Sequence, residues 1–121
     1  MEQDHASAKI RTLNDTFRKT GRGGRIMLTQ GIQALGQKAV AEIIDKVRAF
    51  DQFNEGNDPY LEHDFGKIVH GRETVFFKIS YYDRAMEFGS PDPSDPAVTT
   101  RVMTVMLGEA QFALSRHGNF E

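Results

Sequence analysis

Leu61-Glu-His-Asp-Phe-Gly-Lys-Ile-Val69 and Thr74-Val-Phe-Phe-Lys-Ile-Ser-Tyr-Tyr82 stand on either side of His70-Gly71-Arg72-Glu73. Two short runs rich in β-branched and aromatic residues, parted by four residues with a glycine free to take positive φ, predict an antiparallel hairpin over roughly 61–69 and 74–82. Alternation sends one of Tyr81 and Tyr82 into the core and leaves the other at the surface as an anchor with a polar tip, unless both pack inside. The turn register decides which. Just upstream, Asn54-Glu-Gly-Asn-Asp-Pro-Tyr60 is dense in turn residues and reads as a loop.

Working outward, Ile10, Leu13, Asn14 and Phe17 recur at helical spacing and predict a short amphipathic helix over 7–19, ended by Gly21, Gly23 and Gly24. Arg25–Thr29 suits a strand. It leads through Gly31 into a helix with Val40, Ile43, Ile44, Val47 and Phe50 on one face and Glu42, Asp45, Lys46 and Arg48 on the other, a face made to pack on a sheet. Residues 88–96 form a proline-rich linker within the domain, after which Asp95 can cap and Pro96 begin a last helix running to about Ser115. That helix has apolar stripes at Val98, Val102, Val105 and Phe112 and at Met103, Leu107, Ala110 and Leu114, with Gly118 to stop it. The expected fold is α+β in the order α-β-α-β-β-α: a small three-stranded, at least partly antiparallel sheet with helices packed on it. One domain spans 1–121, with 1–6 and 117–121 expected to fray.

At 121 residues with 26% charged residues, nine Phe and three Tyr, the chain suits one core and not two. It has no cysteine, which removes disulfides, thiolate metal sites and a cysteine nucleophile and fits a reducing cytoplasm. No apolar run nears the roughly 20 residues of a membrane span, and the first residues lack the apolar core of a secretory signal. Charge is polarised: residues 9–25 carry net +5 and residues 51–66 net −5. The basic arm is suited to a phosphate backbone, to solvent, or to the chain's own acidic loop; a pI near 6 argues against nucleic acid as partner.

Asn57-Asp-Pro-Tyr-Leu-Glu-His-Asp-Phe-Gly66 carries a more specific signal. It resembles the short bacterial domain-of-unknown-function family 3768, whose hallmark is an HDFG motif preceded by an NDP segment. Further matching segments are Leu13-Asn14-Asp15 with Phe17-Arg18, Lys78-Ile-Ser-Tyr-Tyr-Asp83, Ser90-Pro-Asp-Pro93 and Thr100-Arg-Val-Met-Thr104. A departure is Ser80, where the family's strand is expected to be acidic. The resemblance carries no established activity; it implies an accessory protein of bacterial chromosomes, plasmids and phages.

Asp58, Glu62, His63 and Asp64 combine carboxylates with an imidazole, the ligand types of a divalent metal that could activate water. On an extended chain Glu62 and Asp64 point one way and His63 the other, so they converge only if the loop bends. The alternative is architectural: Asp58 opens an Asx turn, and His63 and Asp64 bond loop backbone. Lys78 on the partner strand invites a nuclease reading, but the position two before it, where that signature needs an acid, is Phe76. Asp64-Phe65-Gly66 matches the kinase magnesium triplet, yet a kinase needs far more chain than this. Gly21-Arg22-Gly23-Gly24-Arg25 precedes a strand and lacks the helix dipole of a phosphate loop. Arg101, in an apolar setting, needs a partner if buried, with Asp92 or Asp95 nearby in sequence or Asp64 across the fold. His70 lies across the turn and His5 and His117 near the ends, so no second histidine sits at ligand spacing.

The function expected is a non-catalytic macromolecule-binding module acting inside the cell through its acidic NDP–HDFG surface, with Asn57, Asp58, Tyr60, Glu62, His63, Asp64, Lys78, Tyr82 and Arg101 as the surface. The partner expected is another protein, with no membrane, cofactor or metal. The alternatives are a metal-dependent hydrolase on Asp58, Glu62, His63 and Asp64, and an inhibitor of a host defence or DNA-processing protein. Oligomeric state is not legible.

Overall fold

The hairpin turns at Gly71 as expected, but its first strand begins at Phe65 and not at Leu61, because Leu61 and His63 take left-handed φ and leave residues 61–64 in the loop. In the computed structural model, which describes residues 2–108, β2 (Phe65–His70) and β3 (Glu73–Tyr82) pair antiparallel with His70 opposite Glu73 and Phe65 opposite Lys78. Gly71 turns the chain at φ 61°, a left-handed value that glycine takes without strain. Before them come α1 (Glu2–Thr20), β1 (Arg25–Leu28), a single turn α2 (Gln30–Gln33) and α3 (Gln37–Ala49). The first helix thus begins upstream of the expected 7–19 stripe.

The end of the chain differs from the reading above. Asp95 does cap: its side chain accepts from Ala97 N, and Pro96 begins a helical turn. That turn is a lone 3-10 turn, Pro96–Val98, and the chain then extends into β4 (Thr100–Leu107) in place of the expected helix. β4 lies inside the sheet, antiparallel to β3 and parallel to β1, so the sheet has four strands in the order β1-β4-β3-β2 and is mixed. Both stripes of the supposed helix are apolar because a central strand buries side chains on both faces, and a continuous apolar run carries no period that separates strand from helix. The remainder of the expected helix, its stop at Gly118 and the expected frayed end 117–121 lie outside the described residues.

All three helices pack on one face of the sheet. Phe17 of α1, Ile32 of α2 and Ile43 and Val47 of α3 meet Phe77, Ile79, Met103 and Val105 there. Val75, Phe77, Ile79 and Tyr81 point to this helix face, opposite Leu107, Val105, Met103 and Arg101. Phe76, Lys78, Ser80 and Tyr82 point to the other, open face. Gly66 belongs to the helix face, where an added Cβ would sit 2.5 Å from the Phe77 ring and 2.8 Å from Phe50. The glycine of HDFG is therefore a space for two aromatic rings. No helix of the described residues is long and apolar enough to cross a membrane.

Candidate functional site

The loop between α3 and β2 is organised by Asp58, which is 2% exposed. Its Oδ1 accepts hydrogen bonds from the backbone N–H groups of Glu62 (3.0 Å) and His63 (2.9 Å), while its carbonyl accepts from Leu61 N (3.1 Å). Asn57 closes the preceding turn, accepting from Asn54 N and donating to Gln52 O. The carboxylate wraps the chain tightly enough to hold Leu61 at φ 60° and His63 at φ 56°, left-handed values costly for residues with a Cβ and kept only where surroundings enforce them.

His63 is the second fastening. Its Nδ1 lies 2.9 Å from Asp15 Oδ1 on α1 and donates there, since a carboxylate only accepts; Nε2 lies 3.5 Å from Asp58 Oδ2. The ring lies flat on Phe53, with centroids 3.9 Å apart and planes 3° apart. Asp15 also holds Arg18 Nη1 at 2.9 Å, and Arg18 reaches Phe50 O and spans the Phe53 ring. Burial pushes the Asp15 carboxyl upward, but the hydrogen bonds from His63 and Arg18 outweigh it and leave the group below its ordinary value.

The third fastening crosses the sheet. Tyr81 Oη donates to Glu62 Oε1 at 2.8 Å and accepts from Asn14 Nδ2 at 2.8 Å; Asn14 also donates to Glu62 O and accepts from Arg101 Nε at 2.8 Å. Arg101, 3% exposed, spans the Tyr81 ring and reaches the Pro93 carbonyl. Its partners are thus an amide and a carbonyl, where Asp92, Asp95 or Asp64 had been expected. Burial raises the Glu62 pKa first of all; the Tyr81 hydrogen bond opposes this, and Asp64 and Asp58 add repulsion. Burial likewise raises Asp64 and, foremost among its causes, Tyr81.

Among the residues read from the sequence, Asp58, Glu62, His63 and Arg101 meet in this network, with Asn57 in the turn that leads to it. Tyr60 and Leu61 are thrown outward, 73% and 57% exposed. Lys78 and Tyr82 belong to the open face, opposite Phe65 and Thr100, and Ser80 points there too, away from the network. Tyr81, and not Tyr82, is the tyrosine of the site. Asn14, Asp15, Arg18 and Phe53 join it from α1 and the loop. A register signal was available for Tyr81: with His70 opposite Glu73, equal steps along both strands bring Glu62 opposite Tyr81. The basic arm is divided, Arg18 turned inward and Arg11 donating to Leu61 O, while Lys19, Arg22 and Arg25 stay exposed. Among the described residues no three His, Asp or Glu side chains converge as metal ligands.

The family model of DUF3768, a protein of unknown function, matches residues 28–110. The chain belongs to this family. The matched stretch holds the NDP and HDFG segments, Tyr81 and Arg101, while Asn14, Asp15 and Arg18 on α1 precede it. No curated protein and no solved structure matches the chain.

Proposed function

We propose that the chain is a non-catalytic accessory protein of the cell interior that binds another protein through the tip of the NDP–HDFG loop. The observation that carries this reading is the contrast between a fastened loop base and an exposed apolar tip. Asp58, His63 and Tyr81 tie the base to α1 and β3, while Tyr60 and Leu61 stand out in solvent. An exposed aromatic and an aliphatic on backbone already ordered give up little conformational entropy on binding, which is how anchors at protein interfaces gain affinity. Asp51 and Glu55 are the exposed acids nearby, so the complement is an apolar recess with a basic rim. The carboxylates a hydrolase would use are engaged instead: Asp58 caps backbone, Glu62 holds Tyr81, and the two nitrogens of His63 face Asp15 and Asp58.

Affinity capture from the native cell tests this with the parent and a Tyr60→Ala/Leu61→Ser variant. A specific protein retained by the parent should be recovered at least about fivefold less by the variant, since an anchor of this kind is worth upward of about 1 kcal/mol. Equal recovery by both would remove the loop tip as the surface.

A further inference from the structure

The open face of the sheet poses a problem of cover. Met106 of β4 points there, opposite Phe76, yet it is 2% exposed. The helices take the other face. At the far end of β4, Met86 of the turn after β3 shares a groove with Tyr82 and Val102. At the Met106 end no helix or strand of residues 2–108 crosses the face; Phe65 stacks beside Phe76 and Val69 stays 59% exposed.

The chain leaves β4 at this end and on this side. An added Cβ at Gly108 would meet Phe76 and Thr74, both open-face side chains, at 3.1 Å, and the backbone has already turned helical at Gly108. A recess of about 400 Å³ lies there, lined by Arg72, Glu73, Thr74, Phe76, Leu107 and Gly108. Thirteen residues follow, and they include Ala110, Phe112, Ala113 and Leu114. Thirteen helical residues would reach about 20 Å, and the eight residues of β4 extend about 26 Å, so the segment is long enough to run back over most of the strand. Charge agrees as well: the segment begins with the acid Glu109 directly after Gly108, which lines the recess with Arg72, and Lys67 and Lys78 stand on the face it would cross.

We infer that the open face of the sheet is the docking surface of the chain's own segment 109–121, which folds back over Phe76 and Met106 with Phe112 and Leu114 as its apolar contacts. This makes the domain three layers, helices, sheet and segment. The face is thereby closed to outside partners near Met106.

The test uses the full chain. Methyl-labelled protein should show nuclear Overhauser contacts from the Met106 methyl to Phe112 or Leu114, and a mixed labelled and unlabelled sample should show them to be intramolecular. Contacts found only between molecules would overturn the inference in favour of a second copy on this face, and the absence of contacts would overturn it outright. Methionine oxidation by peroxide supplies an independent reading with an internal control. Phe112→Ser/Leu114→Ser should oxidise Met106 severalfold faster than the parent while leaving the core-face Met103, 1% exposed, unchanged. Equal rates for Met106 in parent and variant would contradict the docking. Met103 accelerating with Met106 would mean global unfolding, and the Overhauser contacts of the parent then decide.

Discussion

Glu62 shows how a single carboxyl can be both useful to a fold and costly to it. It ties the loop to Tyr81, but burial raises its pKa above the usual 4.5, so the native state holds its proton more tightly than the unfolded chain does. Stability from this group is therefore greatest in acid and falls as pH rises from about 4.5 through the raised folded value. Asp15 acts the other way, its lowered pKa adding stability that is lost as pH falls below 3.8. Glu62→Gln keeps an acceptor for Tyr81 and removes the titration. Urea midpoints taken from acid toward neutrality should fall in the parent relative to Glu62→Gln, and parallel curves would show that Glu62 is not held in the buried state described. The sequence made Glu62, His63 and Asp58 visible as a polar loop, and the architectural role of Asp58 was among its readings. Asn14 was visible only as a position of the α1 stripe and of a family-matching segment; its role as a hydrogen-bonding hub shows only once Tyr81, Glu62 and Arg101 are seen around it.

The elements were legible where their pattern has one period. β2 and β3 alternate between a helix face and an open face around Gly71, and α3 carries its apolar residues on one side. β4 was not legible, since both of its faces are buried and its run of apolar residues matches helix and strand alike; the true Asp95 cap and Pro96 then pointed to a helix that lasts one turn. Its Val- and Thr-rich composition was the signal that favours a strand. Met103 at the centre of β4 is 1% exposed, and Met103→Ala should cost about 2–5 kcal/mol in chemical denaturation through lost burial and a cavity. A loss under about 0.5 kcal/mol would be at odds with a central strand. Gly66→Ala probes the neighbouring strand by overpacking. A methyl 2.5 Å from the Phe77 ring should destabilise by about 1–3 kcal/mol, and a neutral or stabilising result would deny the close approach of the two rings to the HDFG glycine.

On the scale of the whole molecule, α1, the NDP–HDFG loop, β3 and β4 come together in one polar network although they are far apart in the chain. Asn14 and Asp15 meet Glu62 and His63 across the loop, and Arg101 closes the group from the central strand. The network lies on the helix face, so its carboxylates are spent on holding the loop, and what the loop offers outward is Tyr60 and Leu61. A metal-activating loop and a fastened loop make opposite demands on Asp58 and His63. In the fastened loop, removing either side chain strands backbone N–H groups or breaks the tie to Asp15, at a cost of roughly 1–3 kcal/mol whatever ions are present. In a metal site the same changes abolish a stabilisation that only the ion supplies. The decisive measurement is the melting temperature of the parent, Asp58→Ala and His63→Ala with and without micromolar Zn²⁺ or Mn²⁺. Both variants should melt lower than the parent by the same margin in either condition; an ion-dependent rise of several degrees in the parent, absent from both variants, would contradict the account.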